Sequence, residues 1–311
     1  MTAYYGTARR DQLETLLTLE ADRMMNTVIN EESLQSERRV VISELQGYEN
    51  SPSYRLGKMV MAQALGDHPY GLPVGGTKSD VEKFTLKQVQ DFYRHYYQPN
   101  NAVIVITGDI DPESTLELIE KIYGSIPNLG TPVPHSPVPF APPSARGKEA
   151  IHLNEPGSLL LLERIYPTVH NQHPDMPALD MMDSILTAGH QSRLHQALVE
   201  SGLANNVSAY AANLVDGGWY DLSLSADPDA ELDPILEILD KTLASMGEES
   251  ISEAEVHRAK TQLTTQFILS NRDIDTQASQ IAYNEVMAGD YQFSDRYLAK
   301  LQTITAAEIA K

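Results

Sequence analysis

The chain has 311 residues, with 23 basic against 43 acidic side chains and a formal net charge of −20. With 41% hydrophobic residues it can bury a sizeable core in one large domain or two ordinary ones, and so few Lys and Arg cannot line a nucleic-acid surface. Cysteine is absent, which excludes disulfides, thiolate catalysis, iron–sulfur clusters and Cys-type zinc sites.

The opening MTAYYG reads as the end of a strand whose partners are nowhere upstream, and it carries no apolar stretch of the signal-peptide kind. Residues 10–26 place Leu13, Leu16, Leu17 and Ala21 at helical spacing. A second helix is predicted over 31–48, rich in good helix formers and free of glycine until Gly47. After a loop with Pro and Gly, residues 85–97 predict a helix running into a buried strand at 101–107. Residues 111–126 then predict a capped helix ending at a glycine. Residues 127–147 hold seven prolines and read as an extended linker between a first half-domain, 1–126, and a second, 148–311. The run at 158–166, SLLLLERIY, predicts another buried strand. No stretch reaches the 18 or so apolar residues of a membrane span, so a soluble protein of the cytoplasm or periplasm is expected.

The second part repeats the first. A shift of 222 lays residues 31–45 on 253–267 and puts Leu13, Leu16 and Leu17 on Ile235, Ile238 and Leu239. A shift of 221 puts Tyr70 on Tyr291, and one of 220 puts 85–89 on 305–309. One offset held within two residues over four segments points to two copies of one fold. The repeat further implies a two-copy molecule shortened at both ends, with part of the first copy upstream of Met1 and part of the second beyond Lys311.

The strongest chemical feature is ERRVVISE, with Glu37 and Glu44 seven residues apart on a predicted helix. Seven steps of about 100° return to within about 20° of the start, so both carboxylates share a face. Val40, Val41 and Leu45 lie beside them, so the face is not evidently solvated. Spacing alone also fits an ordinary charged helix with these acids paired to Arg38, Arg39 or water.

Three further segments change the reading. ERRVVISELQGYENSP (37–52), GDHPYGLPVGG (66–76) and DFYRHYYQPNNAVIVITGDID (91–111) occur in that order, followed by GHQSRLHQALVESGLANNVSAY (189–210). Together they resemble the insulinase-type metallopeptidase family, in the branch of the mitochondrial processing peptidases and their bacterial relatives. The resemblance implies an α+β fold of two homologous half-domains, each a mixed, mostly antiparallel sheet of about six strands with helices on one face, enclosing a chamber for peptides or unfolded segments. It also implies a Zn²⁺ held by two histidines of an inverted H-x-x-E-H motif and a glutamate about 75 residues downstream. By position, Glu44 matches that third ligand and Glu37 the acid that supports it. In such a site two imidazoles and a carboxylate leave a fourth position for water, whose proton the motif's glutamate takes.

The sequence departs from the family pattern at two places. None of its nine histidines sits in H-x-x-E-H, so the chain alone is expected neither to bind zinc tightly nor to hydrolyse peptides. The family's substrate-gripping Arg and Tyr correspond to Val199 and Asn205, which implies a partner subunit supplying that pair in a heterodimer. A non-catalytic scaffold or partner subunit is the alternative. Among weaker motifs, HNQH (170–173) lies between Pro167 and Pro174 and reads as a surface loop. His190 and His195, five apart, do not share a helical face and read as packing or capping residues. DPDAELD (227–233) lacks the glycine and glutamate of a calcium loop, and GLPVGGTKS (71–79) has Thr77 where a phosphate loop needs lysine.

Overall fold

Capping chemistry sets many of the helix starts in this chain. The computed structural model describes residues 1–66, 68–127, 150–153, 155, 157, 159–247 and 251–311. In chain order the helices α1 (Leu13–Asn26), α2 (Glu31–Tyr48), α3 (Pro52–Leu65), α4 (Lys78–Lys83), α5 (Leu86–Tyr96) and α6 (Pro112–Tyr123) come first. Strand β1 (Leu160–Thr168) and α7 (Met176–Thr187) follow, then a single π-helical turn (His195–Val199) and the hairpin β2 (Asn206–Leu214) and β3 (Gly217–Ala226). The chain closes with α8 (Leu232–Ala244), α9 (Glu253–Ser270), α10 (Ile274–Ala288), α11 (Phe293–Thr303) and α12 (Ala306–Ile309).

The offset found in the sequence reappears in these bounds. Adding 222 to the limits of α2 gives those of α9, both 18 residues long. Thr85 and Thr305, 220 apart, each cap a helix through a reciprocal box, with Gln88 and Glu308 reaching back to the cap backbone. Asp111 caps α6 by accepting from the Ser114 amide at 2.9 Å. The linker expected at 127–147 lies, Pro127 apart, outside the described residues.

The chain divides into two compact units that interleave along the sequence. Among the described residues, one comprises 1–46, 75–127 and 270–292, and it is helical. In it Leu17 and Ala21 of α1 are buried, and Arg38 of α2 donates to the backbone carbonyls of Val81 and Phe84. The buried strand predicted at 101–107 does not form: residues 102–107 adopt no regular element, lack a ladder partner among the described residues, and leave Val103 and Ile104 46% and 43% exposed. An apolar run becomes a strand only where a neighbour takes its backbone hydrogen bonds. MTAYYG likewise forms no strand, and Tyr5 is 83% exposed.

The other unit carries the sheet, three antiparallel strands in the order β1-β3-β2. Residues 160–168 form the strand predicted at 158–166, but it is half-buried rather than buried, with Tyr166 39% exposed. Leu214 pairs Gly217 across a two-residue turn, and Gly217 sits at a φ of +131°, open to glycine but costly for other residues. On the face bearing Tyr220, Leu222, Leu224 and Ala226, the strands meet Met181 and Ile185 of α7, Ile235 and Leu239 of α8, and Leu301 of α11. Helices therefore cover that face, as the α+β expectation has it. The expected six strands per half are not found among the described residues, where the sheet has three strands and the first half contributes none. The opposite face packs on α3, where Gly57 lies so near the Glu163 carboxylate that a Cβ would stand 3.3 Å from both oxygens.

Candidate metal centre

Two places bring together the residue types that hold a metal. The first is α2, whose start is capped by Asn30: its Oδ1 accepts from the Ser33 amide at 2.9 Å. Leu45 is buried on the inner side of the helix. Glu37 and Glu44 stand on one face and are both exposed, and Val40 beside them is 56% exposed. The face is thus more open than Val40, Val41 and Leu45 suggest in the sequence. Neither glutamate belongs to a group of three potential ligands among the described residues. The ligand set for a family-type zinc is therefore not assembled around Glu44 by the residues described.

The second place was not legible as a site. Gly189, at a φ of +78°, turns the chain out of α7, and buried Ser192 locks that turn by donating from its Oγ to the Gly189 carbonyl at 2.8 Å. The π-helical turn follows, with the Glu200 amide bonded to the His195 carbonyl at 3.0 Å. The wider π turn aligns residues five apart, which an α-helix does not. His190 Nδ1 lies 3.0 Å from His195 Nε2, and that nitrogen lies 3.2 Å from Glu200 Oε1. His190 lies in the turn before the helix, so the two histidines share no helical face, yet the turn brings their rings within hydrogen-bond distance rather than leaving them as separate packing or capping residues. The signal that could have found them is the equal spacing of 190, 195 and 200.

The residues matching the substrate-gripping pair have structural duties. Val199 packs against the core, and Asn205 donates to Asp227 at 3.0 Å. Elsewhere on the sheet, burial pushes the Glu163 carboxyl up to about 7, with the Asp221 charge adding to it. On α7, burial raises Asp180 to about 6 against the opposing effect of its hydrogen bond from Tyr297, while Asp183, raised for the same reason, accepts from Tyr220 at 3.0 Å. Arg193, between the two histidines, clasps Glu255 of α9 through two hydrogen bonds of 2.7 and 3.1 Å, the main reason the Glu255 carboxyl is held at about 2.

Comparison with known proteins bears on the fold and the family. A zinc protease of Mycobacterium leprae is 27% identical over 318 aligned residues, covering 99% of this chain and 69% of that protein. The crystal structure of a protease from Helicobacter pylori superposes with a TM-score of 0.85 at 23% identity, over 97% of this chain and 74% of its own. That of a peptidase M16 inactive domain from Pseudomonas fluorescens gives 0.81 at 17% identity, over 97% and 71%. Both likenesses establish the fold. The family described as insulinase (peptidase family M16) matches residues 1–78, and the peptidase M16 inactive domain matches residues 83–263. With that second match spanning more than half of its length, the chain belongs to the insulinase-type M16 peptidase family.

Proposed function

We propose that this chain serves a zinc metalloendopeptidase of the insulinase type, which cleaves peptides or unfolded segments by metal-activated water. Glu44 is the third zinc ligand and Glu37 its supporting acid, and the H-x-x-E-H motif comes from residues outside these 311. By itself the chain is inactive. The observation that carries this reading is the exposed pair on α2, seven residues apart, in a member of this family. In the same reading the two homologous halves, each built on about six strands, divide at the Pro-rich segment 127–147. Val199 and Asn205 are committed to packing and to Asp227, so a partner subunit of the same family supplies the substrate-gripping Arg and Tyr.

The match to the inactive domain favours a second reading, a non-catalytic scaffold or partner subunit. Translating the DNA in frame upstream of the Met1 codon separates the two. An H-x-x-E-H about 34 codons upstream supports the peptidase, and Glu44→Gln in that longer chain should then abolish stoichiometric zinc and peptide hydrolysis. A stop codon and ribosome-binding site directly before Met1 overturns it in favour of the scaffold.

A further inference from the structure

We propose a divalent transition-metal site at His190, His195 and Glu200, separate from the glutamates of α2. Three lone-pair atoms converge there: His190 Nδ1, His195 Nε2 and a Glu200 carboxylate oxygen, all within 4.8 Å of one another. The contacts are centred on one atom, because His195 Nε2 faces both His190 at 3.0 Å and Glu200 at 3.2 Å. A neutral imidazole nitrogen is either a donor or an acceptor, so without an ion His195 Nε2 either shares one hydrogen between His190 and Glu200 or accepts from His190 and sets its lone pair against the Glu200 carboxylate. A cation drawn in between the three atoms answers all of them at once. Ligands at 2.0–2.1 Å around a tetrahedral ion stand about 3.3 Å apart, close to the two spacings of 3.0 and 3.2 Å around His195 Nε2.

The frame is built before any ion arrives. Gly189 and Ser192 fix the turn that holds His190, and the Gln196 side chain donates to the His190 carbonyl at 2.5 Å. The π turn fixes His195 against Glu200, and Arg193 ties the segment to Glu255 of α9. His195 is the least exposed ligand, at 20% of its side chain, and Glu200 is 54% exposed, so the ion's remaining positions open to water. Two imidazoles with one carboxylate select the zinc, cobalt and nickel class over magnesium or calcium, which prefer all-oxygen shells.

The test is cobalt binding by the 311-residue chain after chelator treatment, followed by visible absorption and equilibrium dialysis, with zinc as competitor. One equivalent of Co²⁺ with ligand-field bands, displaced by zinc, is expected. His190→Ala and Glu200→Gln, both at exposed positions, should weaken binding by more than about 10-fold, and His195→Gln by about 100-fold or more. Glu44→Gln should leave it unchanged, which keeps this site distinguishable from the family zinc. Far-UV circular dichroism matching the parent shows that each variant is folded. Absence of stoichiometric binding, binding that survives all three ligand substitutions, or binding lost only in Glu44→Gln would each overturn the site.

Discussion

Replacing Glu255 by Gln tests the electrostatic anchor that joins the histidine segment to α9. The carboxylate receives two hydrogen bonds from Arg193, at 2.7 and 3.1 Å, and two from Ser252, whose amide and hydroxyl lie at 2.9 and 2.8 Å. Both ionic side chains are little exposed, at 17% and 16%, so water screens the pair weakly. A carboxyl held at about 2 instead of its ordinary 4.5 favours the charged form by about 3 kcal/mol at neutral pH. Because the folded-state value is depressed, that stabilisation is present above about pH 4.5 and is lost as pH falls toward 2. At pH 3 roughly 1.4 kcal/mol of it remains. Urea denaturation should therefore show Glu255→Gln less stable by about 2–3 kcal/mol at pH 7, with the gap about halved at pH 3. A gap of equal size at both pH values would show that the charge is not its source. A gap below about 0.5 kcal/mol at pH 7 would reduce the anchor to an ordinary surface ion pair.

Gly218→Ala should be among the more damaging single-methyl additions in the sheet. Its Cβ would stand 2.3 Å from the Ala212 carbonyl oxygen, and backbone paired in a ladder cannot step aside. A loss of more than about 2 kcal/mol is expected in thermal or urea melts, whereas Gly247→Ala, with open space around it, should stay within about 0.5 kcal/mol. Glu163→Gln should act through pH in the opposite sense to Glu255. The raised carboxyl of Glu163 takes up a proton on folding, so the parent loses stability as pH rises from about 4.5 through 7, and the variant should not. Its melting temperature should match the parent's at pH 5 and exceed it at pH 8, and an identical difference at both would refute the assignment.

Local chemistry carried the helices of this protein. Thr85, Asp111 and the long glycine-free run before Gly47 predict helices close to α5, α6 and α2 because caps and propensities act within a few residues. Strands obey a different rule. SLLLLERIY and NAVIVITGDI look equally strand-like, yet among the described residues only the first finds a partner, in β3, and whether a partner exists is decided far away in the chain. The candidate ligands divide the same way. Glu37 and Glu44 were legible because α-helical geometry repeats every seven residues. His190, His195 and Glu200 were not, because His195 and Glu200 align through a π turn and His190 joins them from the glycine turn at 189, neither of which α-helical arithmetic anticipates.

The two half-buried aspartates of α7 bear on the order in which the chain can fold. Asp183 finds its hydroxyl partner, Tyr220, 37 residues later, and Asp180 waits for Tyr297, 117 residues later. During synthesis α7 therefore emerges long before the groups that satisfy its carboxyls, and it cannot bury them until α11 has left the ribosome. Contacts this distant in sequence slow the final docking step. They also join the middle of the chain to its last helices, so that loosening α11 should release α7 and its sheet as one cooperative event.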